Sequence, residues 1–328
     1  VAFHRSRSRM RFDEAAAVRS INRALAGRGI AALRDVGMDE YMLAEAVPMY
    51  GRMIHAVDGQ TQLQPYSGRK GEYINSVSRA GLNIALINEA EKYANVTFHF
   101  NQRCVYFDCT TGTAKFSNGS RVTADTVIAT DGAGSAVRNA MLHGGVERFD
   151  FSQTWLEHGY KELQIPSRAG IGLQPPATAG GTDFEKNALH IWPRHKFMMI
   201  ALPNFDGSFT CTLFLAHEGV NSFEEVSRGF TQINADRNKS ADLRHLHESA
   251  AKSLLDFFRT NFPDAVPLMP TLADDFFHNP KGNLGTIKCW PWNAGGRVLL
   301  LGDSAHAVVP FYGQGMNCAF EDVRVLDQ

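Results

Sequence analysis

The sequence predicts an α/β fold in which a Rossmann-like cofactor domain is interrupted by an inserted mixed or antiparallel β-sheet that covers a pocket. Three observations carry this prediction. Helix and strand signals alternate over residues 1–150. From Phe151 to Phe214 the pattern changes to short β segments separated by Gly- and Pro-rich loops. The strand Arg297 to Leu301 then restores the opening pattern and stops abruptly at Gly302-Asp303. The expected divisions are 1–150, 151–284 and 285–328, with strands in 49–77 lent to the pocket.

Taken in order, Val1 to His4 starts like the end of a strand and runs into a basic loop ending near Arg11. Ala15 to Val36 and Asp39 to Ala46 have helical character, with Gly27, Gly29 and Gly37 expected to break it. Met49 to His55 and Glu72 to Val77 read as strands. Leu82 to Tyr93 sets Ile84, Leu86, Ile87 and Ala90 on one side and predicts an amphipathic helix. Val96 to Phe100, Cys104 to Asp108 and Ala114 to Phe116 are short strands, with Asn118-Gly119 as a hairpin turn. Val122 to Thr130 is a further strand ending in Asp131-Gly132. In the insert, Tyr160 to Ile165, Ala188 to Trp192, Phe197 to Leu202 and Phe209 to Phe214 are strands, and Ala169 to Gly181 is a loop. Phe223 to Phe262 is charged and helical.

Composition narrows the function. At 328 residues the chain can build two cores. A net charge of −1 excludes a nucleic-acid footprint, and 44% apolar with 20% charged residues is an ordinary soluble balance. Cys104, Cys109, Cys211, Cys289 and Cys318 are scattered without a Cys-x-x-Cys pair, which points to neither a disulfide framework nor a zinc site. No apolar run reaches membrane-spanning length, and no signal-peptide pattern or Ser-His-Asp constellation occurs.

Two motifs carry the chemistry. In the first, a strand from Asp125 ends in Asp131-Gly132, and Ser135 and Arg138 open a helix. In the second, Gly302-Asp303 ends a strand, and Gly313-Gln314-Gly315 precedes a helix-compatible stretch from Met316 through Glu321-Asp322. A carboxylate at a strand end can accept a ribose hydroxyl. Glycines ahead of a helix N-terminus let backbone N–H groups approach an anion or a polarised ring. Either motif alone is a common turn. Together they read as the floor of a cofactor site.

This pair resembles the single-component flavin hydroxylases of the para-hydroxybenzoate hydroxylase type. In that group the Gly-Asp motif meets the flavin ribityl chain, and the Asp-Gly segment serves both FAD and the reduced nicotinamide cofactor. Arg19-Ser20-Ile21-Asn22, Gly51-Arg52-Met53-Ile54-His55, Pro65-Tyr66 and Ser76-Val77-Ser78-Arg79 narrow the resemblance to the kynurenine 3-monooxygenase family. His158 to Leu163, Leu189 to Arg194, Phe197 to Asn204, Ser208 to Phe214 and Val309 to Asn317 extend it to the C-terminus.

The resemblance implies an FAD- and NADPH-dependent enzyme of tryptophan catabolism. It would insert one atom of O₂ into the ring of L-kynurenine through a flavin C4a-hydroperoxide, giving 3-hydroxykynurenine. No catalytic side chain is implied, because the hard chemistry belongs to the flavin. Arg52 and Tyr66 match the clamp on the substrate's carboxylate, a task suited to a guanidinium fork and a phenol. Leu189, Met198, Ile200, Leu202, Phe214, Pro310 and Phe311 match the apolar walls around the substrate ring, although periodicity alone makes them core residues. Ala24, Arg79, Cys104, Asp303, Met316 and Asn317 match FAD-contacting positions, and Asp131, Gly132, Gly313 and Gly315 join them from the two motifs. His306 and Cys318 read as packing. No metal is expected, and the partners implied are L-kynurenine and O₂.

The chain also departs from the family. Nothing in it matches the strand and Gly-x-Gly-x-x-Gly turn that cradles the FAD pyrophosphate; Gly27 and Gly29 sit in a helical pattern instead. The acidic ribose-holding position aligns near Arg5, and Arg23 stands where the family carries an apolar residue. The family continues past the position of Gln328 through a helical region. Eukaryotic members add a membrane anchor for the mitochondrial outer membrane, whereas bacterial ones are cytoplasmic. The expectation is therefore a piece of a longer protein that binds FAD poorly by itself. Two other readings stand beside this one. A flavin hydroxylase of a phenolic acid is disfavoured by Arg52, Tyr66 and the His158 to Leu163 segment; an inactive remnant acting as a binding module is favoured by Arg5 and the absent turn.

Overall fold

A computed structural model describes residues 2–4, 22–69, 71–167, 184–227 and 242–328. Arg5, Arg19 and the Ala169 to Gly181 loop lie outside them. Strand β1 (Ala2–His4) is followed by β2 (Asn22–Leu25) and helices α1 (Gly27–Asp35) and α2 (Asp39–Ala44). Next come β3 (Val47–Met49), β4 (Gly51–His55), β5 (Thr61–Pro65), β6 (Ile74–Ser78) and α3 (Arg79–Ala90). Strands β7 (Thr97–His99), β8 (Cys104–Asp108), β9 (Thr113–Phe116), β10 (Arg121–Thr123) and β11 (Val127–Ala129) lead to α4 (Ala136–Ala140). The insert holds β12 (Asp150–Ile165), β13 (Ala188–Arg194), β14 (Phe197–Pro203), β15 (Phe209–Ala216), α5 (Phe223–Val226), α6 (Asp242–Asn261) and α7 (Leu272–His278). The chain returns through β16 (Gly282–Trp290), β17 (Asn293–Ala294), β18 (Val298–Leu300), α8 (Asp303–His306) and α9 (Gly315–Asp327).

The result is an α/β fold whose largest sheet is mixed and seven-stranded, in the order β16-β12-β15-β14-β13-β4-β5. Its pairs are antiparallel except β13 with β4. Period-two alternation gives this sheet two different faces. Trp192, Met199, Ala201, Cys211, Leu213 and Leu215 turn to one face, where Leu254 and Phe258 of α6, Phe262 just past its end and Phe276 of α7 bury them. Leu189, Ile191, Met198, Ile200, Leu202, Thr212 and Phe214 turn to the other, a cavity wall.

Behind that wall runs a buried polar chain. The His55 Nδ1 lies 2.7 Å from the Asp264 carboxylate, and its Nε2 lies 2.8 Å from His190 Nδ1. The His190 Nε2 lies 2.7 Å from the Glu185 carbonyl. Asp264 also accepts from Trp192 Nε1 at 3.0 Å. Burial pushes His190 down to about 4 from its ordinary value, so a charge there is resisted. The folded-state value lies below the unfolded one, so the unfolded chain takes the proton first as pH falls. Stability is therefore present above the ordinary histidine range and lost between about pH 6.5 and 4, by up to about 3 kcal/mol. Urea midpoints measured over that range are expected to fall with acidification, and a His190→Gln variant to show a flatter acid limb.

Val122 to Thr130, expected as one strand, is split into β10 and β11, and the segment before α1 differs from the sequence prediction as well. Asn22–Leu25, expected within a helix, is a strand pairing with β6, because Asn22 Nδ2 is drawn to Ser76 Oγ at 2.9 Å and the Pro203 carbonyl at 2.8 Å. Gly27 and Gly29, expected to break a helix, lie inside α1. A Cβ at Gly29 would stand 2.6 Å from both Asn317 Oδ1 and Leu25 Cδ1, so glycine there serves a close approach of α1 to α9. The Gly29→Ala change improves helix propensity yet is expected to destabilise the fold by about 1–3 kcal/mol, read from the denaturant midpoint.

Candidate active site

The Asp131-Gly132 and Gly302-Asp303 turns come together because their strands are parallel neighbours, Val127 pairing with Val298 and Ala129 with Leu300. Arg138, almost fully buried on α4, joins the turns. Its Nη1 donates to the Ser304 carbonyl at 2.9 Å and its Nη2 to the Ala133 carbonyl at 2.5 Å. The Ser304 hydroxyl lies 2.7 Å from the carbonyls of both Ala129 and Leu301. Gly302 takes φ +60°, a left-handed region that costs glycine little. Its N–H donates to Asp322 Oδ2 at 2.8 Å, and the same oxygen lies 2.7 Å from His306 Nε2. A carboxylate on α9 thus holds the loop that presents Asp303.

Gly313 ends the Pro310–Tyr312 turn in the left-handed region (φ +62°), and a Cβ there would come 3.0 Å from the Ala24 Cβ. Helix α9 then begins at Gly315 with no acidic residue in its first turn and no side-chain cap. Its first N–H groups and the positive end of its dipole are open to an acceptor.

These pieces surround a cavity of about 1180 Å³. All nine expected substrate residues line it: Arg52 and Tyr66 at one end, Leu189, Met198, Ile200, Leu202 and Phe214 on the sheet, and Pro310 and Phe311 on the glycine turn. Ala24, Arg79, Gly132, Asp303, Gly313, Gly315 and Met316 of the expected cofactor residues line it as well. The Arg52 guanidinium carbon lies 4.7 Å from the centre of the Tyr66 ring. The Tyr66 hydroxyl is buried and makes no hydrogen bond. Burial pushes its pKa up while the Arg52 charge pulls it down, with a net rise, so the phenol stays protonated at neutral pH. An unsatisfied buried donor beside a guanidinium is suited to an incoming carboxylate.

Three expected cofactor residues lie off the cavity. Asp131 accepts from the N–H groups of Ala136 at 2.8 Å and Val137 at 3.4 Å, so it caps α4 together with Ser135. Cys104 sits at the start of β8 with its thiol 3.4 Å from the Tyr106 carbonyl, and burial with the Asp131 charge pushes that thiol up. Asn317 is fully buried and spends its amide on the protein: Oδ1 accepts from Ala26 N–H at 2.9 Å, and Nδ2 donates to the carbonyls of Ala24 at 2.8 Å and Gly313 at 3.1 Å. It therefore fixes β2 against the glycine turn. Sequence reasoning missed Asp322 and the His55–His190–Asp264 chain. Alternation along β13, which puts His190 and Trp192 on the face opposite Leu189, was the available signal for part of the latter. Among the described residues no group of three or more His, Cys, Asp or Glu is placed to hold a metal, and no helix is long and apolar enough to cross a membrane.

Comparison with known proteins follows the same geometry. The profile of the FAD binding domain family matches residues 15–164 and 283–327, leaving out the sheet and helices between them. The chain belongs to the FAD binding domain family. It is 44% identical over 309 residues to the kynurenine 3-monooxygenase of Dictyostelium discoideum, covering 94% of itself and 60% of that protein. It is 44% identical to the kynurenine 3-monooxygenase of Myxococcus xanthus (94% and 61% covered) and 40% identical to that of Anopheles gambiae (100% and 62% covered). It thus spans about three fifths of the length of these relatives. Its fold resembles 2-methyl-3-hydroxypyridine-5-carboxylic acid oxygenase, with TM-score 0.62, 19% identity, and 97% and 72% of the two chains covered. It also resembles Klebsiella pneumoniae HpxO complexed with FAD and uric acid, with TM-score 0.66, 18% identity, and 98% and 71% covered.

The residues present fit the ring end of an FAD. The cavity has room for it, the backbone of the Gly302 and Gly313 turns lines it, and the uncapped start of α9 offers donors.

Proposed function

We propose that this chain carries the flavin and substrate sites of a kynurenine 3-monooxygenase, hydroxylating L-kynurenine to 3-hydroxykynurenine with FAD, NADPH and O₂. The observation that carries the proposal is the enclosure in one cavity of a guanidinium–phenol pair, an apolar strand wall and a glycine turn at a helix N-terminus. Arg52 and the protonated Tyr66 hydroxyl hold the substrate carboxylate. Leu189, Met198, Ile200, Leu202 and Phe214 lie along the substrate ring, and Pro310 and Phe311 close over it. Asp303, Gly313, Gly315 and Met316 would hold the flavin, with Ala24, Arg79 and Gly132 beside it. Asp131, Cys104 and Asn317 support that floor from behind. Bound FAD supplies the redox chemistry, taking a hydride from NADPH and activating O₂. The side chains orient the ring and keep water out, which restrains wasteful turnover.

The chain supplied with FAD is expected to oxidise NADPH faster in the presence of L-kynurenine and to release 3-hydroxykynurenine, identified by chromatography. Bound flavin with stimulation by a phenolic acid instead of L-kynurenine would overturn the substrate. Absence of bound flavin even at saturating FAD would overturn the whole reading.

A further inference from the structure

Arg23 is a charge in this cavity that neither the carboxylate clamp nor the glycine turn uses. It lies on β2 beside Ala24, half-buried, and its side chain lines the cavity. Arg79, at the head of α3, is its nearest cationic neighbour and lines the same cavity. The countercharges acting on Arg23 are Asp303 on α8 and Glu162 on β12, joined by the Tyr160 phenol of the same strand. None of them closes on it. Neither guanidinium makes an ion pair or a side-chain hydrogen bond among the described residues. Burial and Arg79 both disfavour the Arg23 cation, and Glu162 is itself pushed up by burial despite the two arginines. A partly desolvated cation on the cavity wall with no countercharge in contact is an incomplete arrangement, and the exposed Arg79 beside it adds to the positive field.

The position of Arg23 says which part of an occupant it meets. On one side are Ala24, the Gly313 turn and Asp303, which form the cofactor floor. On the other are Tyr160 and Glu162 of β12, a strand of the sheet that walls the substrate. Cofactor and substrate sides meet there, and the reactive ring of a flavin has to lie where they meet. Its phosphates, which touch no substrate, do not.

We propose that Arg23, backed by Arg79, stabilises the negative charge that the flavin ring gains on reduction. The inference rests on the flavin reading above. A hydride from the nicotinamide donor adds two electrons and one proton to the neutral oxidised ring and leaves one net negative charge on it, while the donor departs oxidised. The guanidinium of Arg23 is a fixed cation preplaced for that charge.

Sulfite tests this without any reductant, because its lone pair adds to the oxidised ring and leaves a negative charge there. In the FAD-loaded chain, Arg23→Leu is expected to weaken sulfite binding about tenfold or more. The same variant is expected to shift the flavin reduction potential to more negative values, with FAD affinity little changed. Arg23→Lys, which keeps the charge, is expected to restore most of both. Equal sulfite affinity and equal potential in wild type and Arg23→Leu, both with bound FAD, would overturn the proposal while leaving the flavin reading intact. Loss of FAD binding in Arg23→Leu with unchanged sulfite affinity of the loaded fraction would also overturn it, in favour of a phosphate contact. Failure of the wild-type chain itself to bind FAD would remove the flavin reading and this inference together.

Discussion

Replacing Arg138 with Met is expected to destabilise the fold by about 2 kcal/mol, since the buried Ser304 carbonyl loses its donor at roughly 1–3 kcal/mol and the more exposed Ala133 carbonyl loses less. Those carbonyls, Ala133 and Ser304, belong to the two turns that form the cofactor floor, and the guanidinium also packs over the Phe151 ring at 5.2 Å. Met keeps most of the aliphatic stem, so lost packing contributes little. Arg138→Lys is expected to rescue only part of the loss, because an ammonium cannot reproduce the fork that reaches both turns. Urea denaturation reads the stability, and flavin retention after gel filtration reads the floor. A loss under about 1 kcal/mol with full flavin retention would mean that the parallel pairing of β11 and β18 alone holds the turns together.

The second large effect is expected at Arg52. Arg52→Met removes the charged donor of the proposed clamp while leaving β4 paired to β5 and β13 through its backbone. Loss of a charge-assisted, bidentate contact is expected to weaken L-kynurenine binding about 100-fold. FAD affinity should stay unchanged, because no expected cofactor residue lies on β4. Tyr66→Phe is expected to act in the same direction with a smaller effect, about tenfold, since it removes a single neutral donor. A Michaelis constant for L-kynurenine that Arg52→Met leaves untouched would place the carboxylate elsewhere in the cavity.

Much of this site is legible in the sequence because strands have a strict period. Along β13, Leu189 and Ile191 alternate with His190 and Trp192, so the cavity wall and the helix-covered face separate by position alone. The Asp131-Gly132 and Gly302-Asp303 turns are equally legible, since left-handed backbone at Gly132 and Gly302 favours glycine. Contacts between distant segments are not legible. Asn22–Leu25 has helix-compatible residues, and its strand form is decided by pairing with β6 and by a bond from Asn22 to a carbonyl 181 residues away. Strand β5 is exposed along its whole length and carries Gln62 and Gln64, so no buried face announces it. Asn317 matches a cofactor position by resemblance, yet its amide is occupied by Ala24, Ala26 and Gly313. Asp131 likewise reads as an open carboxylate at a strand end until the N–H groups of α4 are seen on it. Both are polar groups whose hydrogen bonds are met within the protein, which a one-dimensional motif cannot reveal.

The central claim is that the carboxylate clamp and the flavin floor belong to one cavity. Titration of the FAD-loaded chain with L-kynurenine, followed in the flavin absorbance bands, tests it most directly, with the analogue lacking the carboxylate as the comparison. L-Kynurenine is predicted to perturb the flavin spectrum saturably, and the analogue to do so only at concentrations about 100-fold higher. Equal perturbation by both, or by neither while FAD stays bound, would contradict the claim.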